Sequence, residues 1–260
     1  MQKILWIFVL LLPAINASAD LEWGGGVSAV VFPDYVGSDE YQTLILPTPY
    51  FRYTSENLTV DRNLIQTKFF EQGPVASELS LGGSIPVDSD KNRARRGMDD
   101  LDWIGEIGPS LQYYWLGNWA ADNALLLDAP LRVAASSDLS SAQWRGFTFE
   151  PKVRWRRFYP FHGLTVRPQI TLGALAASAD YHAYLYGVKS DDATASRPAY
   201  TAQGGFAGWQ LSYSTVLQWR HYVLAGALRY INTDDAIFAD SPLHKEGENI
   251  LAGIMAAYVF

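Results

Sequence analysis

The sequence predicts an all-β fold, a transmembrane antiparallel barrel of about twelve strands, and three observations predict it. Apolar and polar residues alternate with period two in segments of ten or more, tryptophans sit near both ends of those segments, and the chain opens on an export signal and stops on an aromatic residue. Alternation alone also suits a soluble sandwich. Length and aromatic placement separate the two: Trp103 and Trp115, Trp144 and Trp155, and Trp209 and Trp219 are 12, 11 and 10 residues apart, whereas soluble strands usually run to about five or six. At roughly 3.3 Å per residue and a tilt of about 40°, eleven residues rise about 28 Å, close to the ~25 Å apolar band between aromatic girdles.

At the start of the chain, Lys3 precedes an apolar run from Ile4 to Ile15, and Ala17-Ser18-Ala19 supplies a small-residue cleavage site. Residues 1–19 therefore read as a signal peptide and 20–260 as the mature barrel. Losing Lys3 takes the net charge from −7 to −8, which excludes a nucleic-acid partner on electrostatic grounds. With no cysteine, a disulfide framework, a thiolate metal site and a thiol nucleophile are all excluded. The longest charge-free stretch after the signal, Pro198 to Trp219, carries Gln203, Gln210, Ser212 and Ser214 and is too polar for a spanning helix.

Strands are expected near 21–32, 43–53, 57–63, 65–71, 75–85, 102–116, 122–134, 144–158, 163–177, 207–218, 222–233 and 248–260. In the seventh, Leu125, Leu127, Leu131 and Val133 oppose Asp128 and Arg132. In the eighth, Phe147, Phe149, Val153 and Trp155 alternate with Thr148, Glu150, Lys152, Arg154 and Arg156. The ninth sets Leu164, Val166, Ile170 and Leu172 against Thr165, Arg167, Gln169 and Thr171, and the tenth sets Trp209, Leu211, Tyr213 and Leu217 against Gln210, Ser212, Ser214 and Gln218. The last carries Ile250, Ala252, Ile254, Ala256, Tyr258 and Phe260 on one face, and its final aromatic is similar to the assembly signal of bacterial outer-membrane barrels. Reading 58–70 as one bent strand or a loop gives ten strands instead.

Short turns are expected at Thr54 to Asn57, Glu71 to Pro74, Gly117 to Ala121, Tyr159 to Gly163 and Trp219 to Tyr222. Long connections are expected at Pro33 to Gln42, Pro86 to Leu101, Ala135 to Gln143, Ser178 to Phe206 and Thr233 to Gly247, all on the outer side. That asymmetry is the habit of outer-membrane barrels.

Four segments carry a resemblance: Asp34-Tyr35-Val36-Gly37-Ser38, Leu46-Pro47-Thr48-Pro49-Tyr50, Gly97-Met98-Asp99-Asp100 and Ser241-Pro242-Leu243. With them the mature chain resembles the MipA/OmpV family. The resemblance implies an outer-membrane barrel and, from some members, a scaffold that holds a lytic transglycosylase to a bifunctional penicillin-binding protein. Other members are linked to adhesion, osmotic response or antibiotic susceptibility.

No cofactor motif, metal-ligand spacing or nucleophile elbow is present, and an enzyme is not expected. Of the four histidines, His162 and His221 fall in predicted turns and His182 and His244 in outer loops, where Asp99-Asp100, Asp191-Asp192 and Asp234-Asp235 also lie. A proteolytic Asp/His group with His182 is conceivable, and solvated or cation-binding loops are the simpler reading. Glu78, Glu106, Asp128, Arg132, Glu150, Lys152, Arg154, Arg156, Arg167 and Arg229 are expected to face the lumen. Arg154, Arg156 and Arg167 accumulate like charge near Glu150 and either select anions in a narrow solute channel or pair with carboxylates to hold the wall. The basic run Lys91 to Arg96 is expected outside, near lipopolysaccharide phosphates.

Overall fold

The alternation builds a sheet that closes on itself, seen in a computed structural model that describes residues 20–54, 58–61 and 64–260. The expected signal peptide and most of the turn from Thr54 to Asn57 lie outside the described residues. In chain order the elements are β1 (Asp20–Pro33), β2 (Tyr41–Thr54), β3 (Leu58–Asp61), β4 (Leu64–Gln72), β5 (Val75–Ser84), β6 (Trp103–Leu116), β7 (Ala124–Ser137), β8 (Ala142–Phe149), β9 (Lys152–Arg156), β10 (Tyr159–Phe161), β11 (Leu164–Ala177), helix α1 (Ala179–Tyr186), β12 (Gly205–Trp219), β13 (Tyr222–Asn232) and β14 (Glu248–Val259). Every pairing is antiparallel. The last strand returns to the first in the register Gly24↔Val259 to Val31↔Ala252. Along this seam closure removes the sheet edges that hydrocarbon cannot tolerate.

Among the described residues the sheet has fourteen strand segments where about twelve strands were expected. The difference arises where one strand 144–158 and a turn from Tyr159 to Gly163 were expected: the strand is divided into β8 and β9, and β10 takes up the start of the turn. β8 and β9 both lie between β7 and β11, and β10 continues along β11. Pro151 has no N–H to give the ladder, yet Glu150 N–H donates to Pro130 O at 3.2 Å and Ala174 N–H to Pro151 O at 3.0 Å, so the wall is bonded across the break.

Four of the five expected long connections are long. The fifth is not: β7 and β8 are joined by Asp138 to Ser141 alone, where the Asp138 carboxylate accepts from the N–H groups of Ser140 and Ser141 and Leu139 adopts φ 72°. A bulge follows between Ala134 and Ala135 on β7, opposite Gly146 and Trp144, and it re-aims the intervening Arg145. Arg145 Nε donates to Ser136 Oγ at 2.8 Å and its guanidinium lies 3.8 Å from the centre of the Tyr184 ring. The opposite end of the barrel keeps tight turns such as His162-Gly163, both with positive φ.

Trp103, Trp115, Trp144, Trp209 and Trp219 are exposed on the outward face. At the turn end Trp23 packs on Phe260 with ring centroids 4.5 Å apart, and Tyr258 lies 5.4 Å from Phe260. Phe260 N–H donates to Trp23 O at 2.9 Å, so the terminal residue completes the β14–β1 seam. Phe260→Ala is expected to lower the amount of heat-modifiable barrel in the membrane fraction several-fold; normal levels would show the terminal ring to be dispensable for closure.

Candidate functional site

The inward positions of β5 to β9 carry both signs of charge in an apolar shell, and burial without partners would be costly. Arg132, on β7, binds two carboxylates at once: Nη1 to Glu106 at 3.2 Å and Nη2 to Glu150 at 2.9 Å, with Nε donating to Ser80 Oγ at 2.8 Å. Lys152 Nζ reaches Glu150 at 3.2 Å and Asp128 at 4.0 Å, and Arg154 pairs with Asp128, which also accepts from Ser110. Thr148 and Tyr181 each donate to Glu106 at 2.9 Å, and Gln210 donates to Glu150. The result is one bonded strap along the inner wall from β5 to β12.

Tyr181 belongs to α1, so the strap also holds the cover of the long-loop end. Ser178 caps α1 and accepts from Phe147 N–H at 3.0 Å. A Cβ at Gly146 would stand 1.9 Å from Ser178 Oγ, and this glycine has φ +96°, so no other residue fits. Behind α1, Tyr186 stacks on Phe238 at 3.6 Å between ring centroids, in a cluster with Tyr35, Val87, Leu101 and Leu185. His182 is edge-on to Phe238 at 5.0 Å, its Nδ1–H donates to Gln203 O at 2.7 Å, and burial pushes its pKa down, holding the ring neutral.

Three of the four segments that carry the family resemblance meet here, while Leu46 to Tyr50 lies on β2. Tyr35 OH donates to Leu243 O at 2.8 Å, Tyr186 OH to Val36 O at 2.7 Å, and Ser241 Oγ to Tyr186 O at 2.7 Å. Gly37 N–H donates to Asn249 Oδ1 at 2.6 Å, and its O accepts from Lys245 and Glu246. Gly37 has φ +93°, and a Cβ there would press on His244 at 2.7 Å. Asp99 O accepts from Arg95 and Ser89, and Asp100 accepts from Ser89 N–H. Of the basic run, Arg95 is buried and also donates to Leu185 O, while Lys91, Arg93 and Arg96 stay exposed, Arg93 pairing with Asp39 and Glu40. Placed among these groups, Arg95 is not the solvated contact expected for lipopolysaccharide.

The ten predicted lumen charges are distributed unevenly. Arg154 and Arg156 lie on β9 and Arg167 on neighbouring β11. Of these three only Arg154 has a carboxylate partner among the described residues. Arg156 Nη2 donates to Asn118 O at 3.0 Å and Trp119 O at 2.9 Å, and Arg167 sits 5.1 Å from the Phe158 ring centre. The expected pairing of Arg156 and Arg167 with Glu150, Glu106 and Asp128 is therefore corrected: both lie towards the turn end, beyond reach of those acids. Arg229 lines a cavity of about 1130 Å3 beneath the cover and forms no ion pair among the described residues. Residues not singled out from sequence also contribute, among them Trp119, whose indole N–H donates to Glu78 at 2.9 Å, and Tyr181. A tyrosine in a loop and a tryptophan in a turn carry no periodic signal. Arg154→Gln is expected to cost about 1–3 kcal/mol, because Asp128 loses a charged partner, and Arg167→Gln less than about 1 kcal/mol, because only a ring contact goes. Thermal unfolding of both variants checks the contrast.

The four carboxylate and histidine candidates do not assemble. Asp191 and Asp192 lie in an exposed 3-10 turn, and Asp234 accepts from Asn232. Comparison with curated proteins finds no match. A family model described as MltA-interacting protein MipA matches residues 25–260, nearly the whole chain. With this match over nearly the whole of a closed antiparallel barrel, the chain belongs to the MipA family.

Proposed function

We propose that this chain is an outer-membrane barrel, exported by a cleaved signal peptide, that works as a scaffold for peptidoglycan-remodelling enzymes. The partners are a lytic transglycosylase of the MltA kind, which the family description names, and a bifunctional penicillin-binding protein. The family match carries this reading. The interior supports a binding role over a through-channel, since the strap around Arg132 narrows it from one side and α1 with its loops covers one mouth. A surface adhesin would use that same cover. The role is non-catalytic, with the short turns facing the periplasm and the long loops facing lipopolysaccharide.

Cross-linking intact envelopes and purifying the barrel is expected to bring down a lytic transglycosylase. Recovery of the barrel without any cell-wall enzyme, together with discrete conductance steps in planar bilayers, would replace the scaffold by a solute channel. Orientation has its own check. A cysteine placed at Asp191 is expected to react with an impermeant thiol reagent on intact cells and one at Asn118 is not; the chain has no cysteine to confuse the reading.

A further inference from the structure

The barrel wall has a notch. β3 pairs with β2 only at Tyr53↔Val60 and Thr54↔Thr59, and β4 pairs with β5 only from Gln72↔Val75 up to Lys68↔Glu78. β2 and β5 continue for many residues towards the long-loop end, where the pairings of the described residues leave Tyr41 to Arg52 and Leu79 to Ser84 joined on one side alone, to β1 and β6. Among the described residues no strand fills that length.

Two observations show that this gap joins the lumen to the outer surface. The cavity under the cover is lined by every residue of β5 from Glu78 to Ser84, although successive residues of a strand point to opposite faces. It therefore wraps around the free edge of β5. On the other side, Thr43 to Pro47 are all exposed, again both faces of one strand.

The β2 edge is protected against a partner strand. Phe260 N–H donates to Trp23 O, so odd-numbered residues of β1 turn their backbone groups to β14 and even-numbered ones to β2. The register Val27↔Pro47 and Gly25↔Pro49 then turns both prolines to the gap, where a missing N–H cannot recruit a strand. These are the prolines of the family segment Leu46 to Tyr50. An edge so blunted suits a mobile molecule rather than a protein strand.

Beyond the gap, the lumen wall of β1, β13 and β14 is apolar, with Val30, Phe32, Ile231 and Leu251 facing the cavity, and the one cation of that wall is Arg229. The cavity, at about 1130 Å3, has room for a ligand, small-molecule sites usually being ~300–1,000 Å3. We propose that the notch is a lateral portal through which a long-chain fatty acid passes from the membrane into the lumen, its carboxylate meeting Arg229 and its chain lying along Phe32, Val30 and Leu251. The proposal rests on the membrane-spanning reading and is independent of the cell-wall partners.

The test uses the full barrel in nanodiscs, verified as heat-modifiable, with a diazirine-bearing palmitate as probe and its trimethylammonium analogue of equal chain length as control. Cross-linked peptides are expected from β1, β2 and β5, with little labelling by the cationic analogue. Arg229→Gln should weaken palmitate binding about tenfold, Arg229→Lys should retain it, and Leu46→Trp, which fills the notch, should abolish labelling of Phe32. Labelling confined to outward residues such as Leu111 and Leu228, or equal labelling by both probes, would overturn the portal. So would Arg229→Gln and Leu46→Trp barrels that label as the unaltered protein does. A barrel that fails to insert at all would instead count against the membrane reading.

Discussion

Replacing Arg132 with leucine is expected to destabilise the barrel by about 3–5 kcal/mol, the cost of stranding buried charges when one partner of an ion pair is removed. Arg132 is 7% exposed and is the one residue that joins Glu106 to Glu150. Leucine fills part of its volume but offers neither carboxylate a proton. Among the described residues Glu150 retains Lys152 and Gln210, and Glu106 retains only the hydroxyls of Thr148 and Tyr181, so Glu106 bears most of the loss. Adding Glu106→Gln to Arg132→Leu should then recover part of the stability, since the second change removes the stranded charge. Thermal unfolding of the single and double variants, followed by the gel shift of the folded barrel, reads both steps. A double variant no more stable than Arg132→Leu would place the cost in lost packing rather than in unpaired charge.

The second large effect is expected at Phe238. Its side chain is 1% exposed, stacks on Tyr186 and lies between His182 and His244, with ring centroids at 5.0 and 5.8 Å. Truncating a buried phenylalanine costs about 3–5 kcal/mol where the site cannot collapse. Here the loss falls on the cover, because the rings that Phe238 meets, His182, Tyr186 and His244, belong to α1 and the loops. Phe238→Ala is therefore expected to make 178–204 and 233–247 sensitive to protease while the barrel stays folded and heat-modifiable, as local opening predicts. Loops that stay resistant would show that the hydrogen bonds of Tyr35, Tyr186 and Ser241 hold the cover without the aromatic stack.

The barrel and its outward face were legible because membrane strands repeat a local rule. Every second residue meets the apolar side, so Phe147, Leu172, Leu211 and Ile254 declare themselves without knowledge of their neighbours. The same rule placed Glu106, Asp128, Arg132 and Glu150 inside, and the turn residues marked where strands end. The division of the 144–158 run was hidden because alternation passes through Pro151 unbroken, while the backbone loses one donor. The short turn after β7 was hidden because Asp138 closes it with its own side chain, a local bond that composition does not announce.

The sequence by itself determined which face each strand residue takes, since that depends only on the pleat and on hydropathy, and it determined the family through segments read as isolated strings. Only the tertiary structure decided that Tyr35, Gly37, Leu243 and Ser241 are parts of one clasp, that Arg154 finds Asp128 while Arg167 finds a ring, and that β2 and β5 leave a gap above the β3–β4 hairpin. Each of these depends on groups more than ten residues apart meeting at bonding distance. Pairing register and closure set those distances, and periodicity carries no information about them.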